Sequence, residues 1–447
     1  LAVAWFLNRK GIEVVLTDKQ NIAPDKLAAL EVVGRQTSDV RGDAGVKVHF
    51  PDYPIIKPGD YSLVVVSPGV PLDIPPVVQA KNLNIPVISE LELTYWYALA
   101  PIVAITGTNG KTTTTSLVGE ICKDAGLNTL VAGNIGLPLI AKIENYTTHD
   151  LVVAEVSSFQ LETTVFFRPH VAVILNISSD HLDRHKTLAN YTAAKTKIFE
   201  NQKAGDYTIL NYDDPYTRSL ASYSPGTVIF FSRRRILEKG VFTQNDWIIS
   251  NLTGKIEPVL PVKEIQLPGA HNLENVLAAA ASALVLEIEP LKVAKTLRLF
   301  KGVAHRLEFV AEINGVRYIN DSKGTNPEAS IKALEAFAAP IILLAGGKNK
   351  GNDFTALAQK IKEKVRVLIT LGECAGELEK ETKLAGVVKV IRAHDLRQAV
   401  FSAYQLAQPG EVVLLSPACA SWDMFQDYVE RGNLFRKTVL EFSAKQL

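Results

Sequence analysis

The sequence predicts an α/β protein built as three α/β domains in series. Three observations carry that expectation. At 447 residues the chain exceeds what one core ordinarily organises, and roughly 150 residues per domain gives about three. Short apolar runs alternate with helical stretches along most of its length, as in strand–helix units of a parallel sheet. Several of those runs end in turn residues, at the sheet edge where open α/β folds place their ligands.

In chain order, residues 1–8 read as the body of a helix leading into a strand at 13–17, so a strand and its glycine turn are expected before Leu1. Apolar runs at 12–16, 63–66 and 85–88 read as buried parallel strands, the first two closing in Thr17-Asp18 and Ser67-Pro68-Gly69. A domain boundary falls near 98–101. The next block has strands at 102–105, 151–155 and 171–176, with helices at 112–125 and 188–201. A strand-rich stretch follows at 207–266, then an Ala-rich helix at 272–286 and another helix after Pro290. Strands at 307–313 and 316–319 flank Asn314-Gly315, a strong hairpin signal. Strand–helix alternation resumes with strands at 341–345, 365–371, 388–391 and 412–415. The expected domains are 1–98, 99–303 and 304–447.

Composition narrows the function. A hydrophobic share of 47% with 21% charge is that of a globular protein able to fill a core in each domain. Lys and Arg number 48 against 47 Asp and Glu, so nothing attracts nucleic acid or an anionic membrane in general, and any anion site must be local. No apolar run approaches the ~18 residues that span a bilayer. The three cysteines, Cys122, Cys374 and Cys419, lie far apart, without metal-ligand or disulfide-framework spacing, which fits a reducing cytoplasm. The expectation is a cytoplasmic monomer.

The most informative segment runs Ile102-Val-Ala-Ile-Thr-Gly-Thr-Asn-Gly-Lys-Thr-Thr113: a buried strand, a glycine-containing turn and a helix start. Gly107 and Gly110 let the backbone bend tightly around Thr108 and Asn109 and turn N–H groups toward phosphate oxygens. Lys111 carries a cation to the outer phosphates, Thr112 offers a hydroxyl to Mg²⁺, and the helix N-terminus adds its dipole. The first glycine of the usual phosphate-loop pattern would fall at Ile105, so this is a shorter variant.

Two further strand ends carry polar groups: Glu155 closes the run 151–155, and 171–176 leads into Asn176-Ile-Ser-Ser-Asp180-His181. In a doubly wound sheet these ends lie on the edge of the phosphate loop. Hard Mg²⁺ prefers oxygen, which makes Glu155 the natural ligand and His181 an unusual one. The plain readings are a capping carboxylate for Glu155 and surface pairing with Asp180 or Asp183 for His181. Lys195, in Tyr191-Thr-Ala-Ala-Lys195, reads from composition alone as an exposed helix lysine.

Taken together and in order, these segments, followed by His271-Asn272, His305-Arg306 and Asn320-Asp-Ser-Lys323, resemble the Mur ligases of peptidoglycan synthesis, which share a fold with folylpolyglutamate synthase. Ser67-Pro-Gly69, Glu155-Val-Ser-Ser-Phe-Gln-Leu-Glu162 and Leu415-Ser-Pro-Ala-Cys-Ala-Ser421 resemble the D-glutamate-adding branch. The Asp-Asn-Pro-Arg motif of the diaminopimelate- or lysine-adding branch is missing. The resemblance covers essentially the whole chain. It implies a Rossmann-like N-terminal domain, a central phosphate-loop ATPase-type domain and a Rossmann-like C-terminal domain.

It also implies an activity: ATP, with Mg²⁺, phosphorylates the carboxylate of UDP-N-acetylmuramoyl-L-alanine, and D-glutamate attacks the acyl phosphate to form an amide. By position in the family, residues 107–113 hold ATP, with nucleotide contacts from Asn272, Asn275, Arg306 and Asp321. Thr112, Glu155 and His181 resemble metal-site residues. Lys195 matches a lysine that becomes carbamylated and so turns into a carboxylate-like ligand, and Lys111, Glu155, His181 and Lys195 form the catalytic set. Thr17, Asp18, Ser67, Pro68, Gly69 and Asn134 match the UDP-precursor site, and Ser157 is a further substrate-binding position; Thr325, Lys350, Ser421 and Tyr428 match the D-glutamate site, Tyr428 standing where a relative carries Phe. Competing readings are another Mur-type or folylpolyglutamate-type amide ligase, and a nucleotide-binding protein that is no ligase. The guanine-reading Asn-Lys-x-Asp motif of GTPases does not occur.

Overall fold

The computed structural model describes residues 1–18, 46–49, 53–349, 351–386 and 389–444. By internal contact the chain divides into two units. The first comprises Leu1–Val262 with Glu274–Leu297, the second Lys263–Leu273 with Arg298–Leu447.

The first unit is organised by a nine-stranded sheet. Its spatial order is Thr129–Gly133, Leu151–Glu155, Ile102–Thr106, Val171–Ile174, Tyr207–Asn211, Thr227–Ser232, Gly240–Gln244, Trp247–Asn251, Glu257–Pro261. The first seven strands run parallel and the last two pairings are antiparallel. The strands 102–106, 151–155 and 171–174 are buried at every residue, as a parallel sheet covered on both faces requires. Strand order reverses at Ile102–Thr106: the chain goes first to one side of it, through 129–133 and 151–155, and then to the other. That reversal opens the crevice at the strand ends in which the phosphate loop sits.

The start of the chain contributes two parallel strand pairs, Val14–Thr17 with Val46–His49 and Val64–Val66 with Val87–Ser89. Phe6 and Leu7 of the helix Ala2–Arg9, and Leu91 and Leu93 of the helix Glu90–Tyr97, join the same core as Ala104, Val152 and Ile174 of the large sheet. Glu92, with none of its surface exposed, accepts hydrogen bonds from the backbone N–H groups of Val165, Phe166 and Phe167 at 2.8–3.0 Å and from Trp96 Nε1 at 2.8 Å.

The second unit holds a six-stranded sheet in the order Glu308–Ile313, Val316–Asn320, Val412–Leu415, Ile341–Gly346, Val365–Leu371, Val390–Arg392. Only the first pairing is antiparallel. It is the hairpin read from Asn314-Gly315, and both turn residues have positive φ, 53° and 74°, as its two-residue turn demands. Its cores lie on the two faces of this sheet, one around Leu343, Leu357 and Leu414, the other around Ile342, Val413 and Phe435. Among the described residues no helix is long and apolar enough to cross a membrane.

Candidate active site

The phosphate loop folds as its sequence suggests. Ile102–Thr106 ends, residues 107–110 turn, and the helix Lys111–Asp124 begins with Gly110 at its cap, φ 86°. Glycine is required there twice over. The φ value disfavours a side chain, and a Cβ would lie 2.1 Å from Asn275 Oδ1. The close approach also shows that Asn275, expected among the nucleotide contacts, lies directly against the loop. Asn176 fastens the loop from the neighbouring strand end. It accepts from Asn109 N–H at 2.9 Å through Oδ1 and donates back to Asn109 O at 3.1 Å, while its carbonyl accepts from Thr108 N–H at 3.0 Å. Lys111 Nζ donates to Gly107 O and Thr108 O at 2.8 and 2.9 Å, so its charge lies over the loop.

On the adjacent strand Glu155 is 2% exposed. Its Oε1 accepts from Asn134 Nδ2 at 2.8 Å, but the buried Oε2 has no hydrogen-bond partner among the described residues. A buried carboxylate oxygen without a donor is costly, of the order of 1–3 kcal/mol or more, and such an atom calls for an explanation. A hard cation supplies one. With the Thr112 hydroxyl on the first turn of the loop helix, the donor set is oxygen, as Mg²⁺ prefers. Among the described residues no cluster of three His, Cys, Asp or Glu side chains is poised for a metal.

Lys195 corrects the composition-based reading. It is 1% exposed, not a surface lysine. Its Nζ lies 3.0 Å from Gly107 O, 3.3 Å from Thr106 Oγ1 and 4.6 Å above the Tyr191 ring. Burial, and then the Lys111 charge, holds its pKa well below the usual lysine value, against the pull of Asp180 and Glu155. The sequence did contain the signal: Tyr191 and Lys195 are i and i+4 on the helix Leu188–Thr196, so the ring lies along the lysine stem.

His181 adopts φ 51°, a left-handed backbone rarely held by a residue with a side chain. Its ring packs on Phe159 at 4.9 Å, with Nε2 3.6 Å from Asp180 Oδ2. Four residues on lies His185, which sequence reasoning did not single out. His185 is buried, stacks on Phe159 at 5.5 Å and contacts Tyr191. Its Nε2 lies 3.0 Å from Ser158 Oγ and its Nδ1 3.3 Å from Glu162 Oε1, while Glu162 Oε2 accepts from Arg184 at 2.7 Å. Burial lowers its pKa, so the ring is neutral at pH 7: Nδ1–H faces the carboxylate and Nε2 accepts the serine hydroxyl. Arg184 also donates to Val70 O at 3.0 Å, next to the turn of Ser67, Pro68 and Gly69. Ser157 caps the short helix Ser158–Leu161 in a reciprocal box with Gln160. Thr17 ends its strand and Asp18 follows it.

The second unit brings another group together at its strand ends. Asp321 follows Val316–Asn320, and its Oδ2 accepts from Ser416 Oγ at 2.7 Å. Burial raises this carboxyl to about 7, against the lowering influence of Ser416 and Arg306. Ser322 donates to Tyr428 O at 2.8 Å, and Lys323 Nζ lies 5.3 Å from the Tyr428 ring, with Thr325 two residues beyond. Ser421 is buried in the loop after Val412–Leu415. Arg431, also missed in the sequence, is 2% exposed; it donates to Ser322 Oγ at 3.0 Å, Ser322 O at 2.8 Å and Cys419 O at 3.2 Å. Asn272 lies on the first turn of the helix Ala270–Val285 and donates to Pro268 O at 2.7 Å. Lys350 lies outside the described residues.

Comparison with known proteins speaks to the family. Residues 105–283 match the family model for the Mur ligase middle domain, and residues 305–419 that for the Mur ligase glutamate ligase domain. The chain is 54% identical to a UDP-N-acetylmuramoylalanine–D-glutamate ligase of Pelotomaculum thermopropionicum, over 98% of this chain and 95% of the relative. It is 48% identical to the enzyme of the same name from Alkaliphilus metalliredigens, over 97% and 94%. Among solved structures, the UDP-N-acetylmuramate-alanine ligase MurC of Thermotoga maritima superposes with a TM-score of 0.58 at 19% identity, covering 99% of this chain and 96% of its own. At that identity the likeness speaks for the fold alone. The near full-length identity to the first two relatives goes further, and with both domain matches it places the chain in the Mur ligase family.

Proposed function

We propose that this protein is an ATP-dependent ligase that joins UDP-N-acetylmuramoyl-L-alanine to D-glutamate through an acyl phosphate, in peptidoglycan precursor synthesis. The observation that carries the reading is identity of up to 54% along nearly the whole chain to ligases of that name, in a chain whose phosphate loop is flanked by a buried, half-unpartnered glutamate. A carboxylate is a poor electrophile. Phosphorylation supplies a leaving group, after which the amine of the amino acid can displace phosphate.

The residues divide the work by their chemistry. Lys111 and the loop N–H groups of 107–113 receive the ATP phosphates, where charge must be neutralised as anion meets anion. Thr112 and Glu155 are the oxygen ligands for Mg²⁺, which when bound screens phosphate charge, and His181 lies on the same sheet edge. Lys195 is buried, and burial lowers its pKa, which favours the neutral amine that adds CO₂ to become a carbamate. Carbamylation would give a second anionic oxygen ligand where an ammonium would repel the metal. Thr17, Asp18, Ser67, Pro68, Gly69 and Asn134 serve the UDP precursor, and Ser157 is a further substrate contact. Asn272, Asn275, Arg306 and Asp321 contact the nucleotide, and Thr325, Lys350, Ser421 and Tyr428 the incoming amino acid. We assign these tasks to three functional blocks, 1–98, 99–303 and 304–447, in a monomer working in the cytoplasm.

The deciding experiment is phosphate release from ATP and Mg²⁺ with UDP-N-acetylmuramoyl-L-alanine, comparing D-glutamate, L-glutamate and L-lysine. Release that needs both the precursor and D-glutamate is the expected result. Release with another amino acid would make the chain a different Mur-type ligase. ATP binding without release under any combination would make it a nucleotide-binding protein that is no ligase.

A further inference from the structure

We propose that Cys374 and Cys419 form an oxidant-sensitive dithiol, a modification site that a hydroperoxide converts to a disulfide, slowing the ligase by shifting the loop that carries Ser421. The consequence for turnover rests on the reading of Ser421 as an amino-acid contact; formation of the disulfide does not.

The two residues are 45 apart in sequence and adjacent in space. Their sulfurs lie 2.9 Å apart, and both are free thiols. A disulfide needs about 2.05 Å between sulfurs, so closure requires an approach of only about 0.9 Å. The surroundings favour a thiolate on one of them. Cys374 caps the N-terminus of the 11-residue helix Ala375–Ala385, where the backbone dipole attracts negative charge. Buried Arg431 donates to Cys419 O at 3.2 Å, bringing a guanidinium beside the pair. Their mutual hydrogen bond lowers the Cys374 pKa and raises that of Cys419, which makes Cys374 the more acidic of the two. Cys122, buried without such a partner, is pushed to about 12 and serves as the inert comparison.

Burial is shallow. Cys374 and Cys419 are 2% and 0% exposed, yet Glu373 directly precedes the first and exposed Trp422 lies three residues beyond the second. Thiols this buried call for an oxidant as small as hydrogen peroxide rather than a bulky disulfide. The Cys374 thiolate attacks the peroxide O–O bond, becoming a sulfenic acid as hydroxide leaves. The Cys419 thiol then displaces the sulfenic oxygen, which departs with the thiol proton as water. The two sulfurs lose two electrons, the peroxide gains them, and a thiol reductant reverses the change.

The bond would act on a loop with little slack. Lys348 and Ala420 exchange backbone hydrogen bonds at 2.9 and 3.1 Å, and Gly346 N–H donates to Pro417 O at 2.9 Å. Ala418 already holds φ 59°. At Gly347 a Cβ would come within 2.2 Å of Ala420 O, so the two segments are pressed together. Drawing Cys419 toward the helix therefore moves Ser421, and a misplacement of about 1 Å at a reacting site can cost on the order of 10²-fold.

The intact protein is treated with hydrogen peroxide, denatured, alkylated, digested and weighed, with D-glutamate-dependent phosphate release assayed in parallel. We expect a Cys374–Cys419 linked peptide lighter by two hydrogens and a rate lowered at least ~10-fold. Dithiothreitol should restore the rate, and Cys374→Ala should keep it under oxidant, with Cys374→Ser as a second variant if the first folds poorly. Both cysteines remaining alkylatable after a dose that oxidises the sole methionine, Met424, would overturn the proposal. So would a linked peptide with unchanged D-glutamate kinetics. If the reduced protein releases no phosphate with D-glutamate, the functional reading fails, and the linked peptide still decides whether the disulfide forms.

Discussion

An ammonium group 1% exposed must find partners or hold its proton less tightly, and Lys195 has both partners and a lowered pKa. Composition alone reads this segment as an ordinary helix surface; family resemblance singled the residue out, and the i, i+4 spacing of Tyr191 and Lys195 was the further signal in the sequence. What hid the truth is tertiary: the helix is laid over the strand end at Thr106 and Gly107. If Lys195 works as a carbamate, Lys195→Ala should cost about 10–100-fold in turnover, as loss of a metal-site group does. Added formate or acetate should then return part of the rate, and a fully active variant would sink the idea. Asp321 permits a sharper statement about pH. Its carboxyl is raised from 3.8 to about 7 by burial, so the native state holds a proton that the unfolded chain gives up. The stability this adds is fully present below about pH 4 and is lost as pH rises through 7. Melting temperatures between pH 4 and 8 should therefore fall less steeply for Asp321→Asn than for the parent, and parallel curves would contradict the assignment.

At the scale of elements, strands were the legible part. The buried runs 151–155, 365–371 and 412–415 fold over the residues expected, because a parallel strand covered on both faces leaves an unbroken apolar signature. The Asn314-Gly315 hairpin was equally readable, since its turn needs two positive φ values. Polar contacts that fasten one element to another left no such trace. Glu92 looks like a helix-surface acid in sequence, yet it satisfies three consecutive backbone N–H groups at 165–167 from inside the core. Removing it strands those donors at roughly 1–3 kcal/mol each if water cannot replace it. We expect Glu92→Ala to lower stability by about 2–4 kcal/mol, read as a lower denaturation midpoint in urea with little change in slope. A change under about 0.5 kcal/mol would mean that water takes over the clamp.

For the whole molecule, sequence punctuation and physical contact divide the chain differently. Pattern and resemblance suggest blocks ending near 98 and 303. By contact, the helices Ala2–Arg9 and Glu90–Tyr97 share a core with the large sheet, and the two units meet in sequence at 262/263, 273/274 and 297/298. The difference has a cause that sequence cannot display: Phe6, Leu7, Leu91 and Leu93 find their apolar partners on Ala104, Val152 and Ile174, far along the chain. Each unit has its own core and its own sheet, and a chain of this length ordinarily unfolds in more than one step. Calorimetry should therefore resolve two transitions. Glu92→Ala belongs to the first unit and should shift one of them by several degrees, leaving the other in place. Gly315→Val belongs to the second. It forces a β-branched residue to φ 74° with its Cβ 3.3 Å from Pro409 Cβ, so it should shift the other transition alone. In the double variant the two shifts should add, as for independent sites. A single transition moved by either substitution would show that the units unfold as one, and the contact boundary would then have no thermodynamic counterpart.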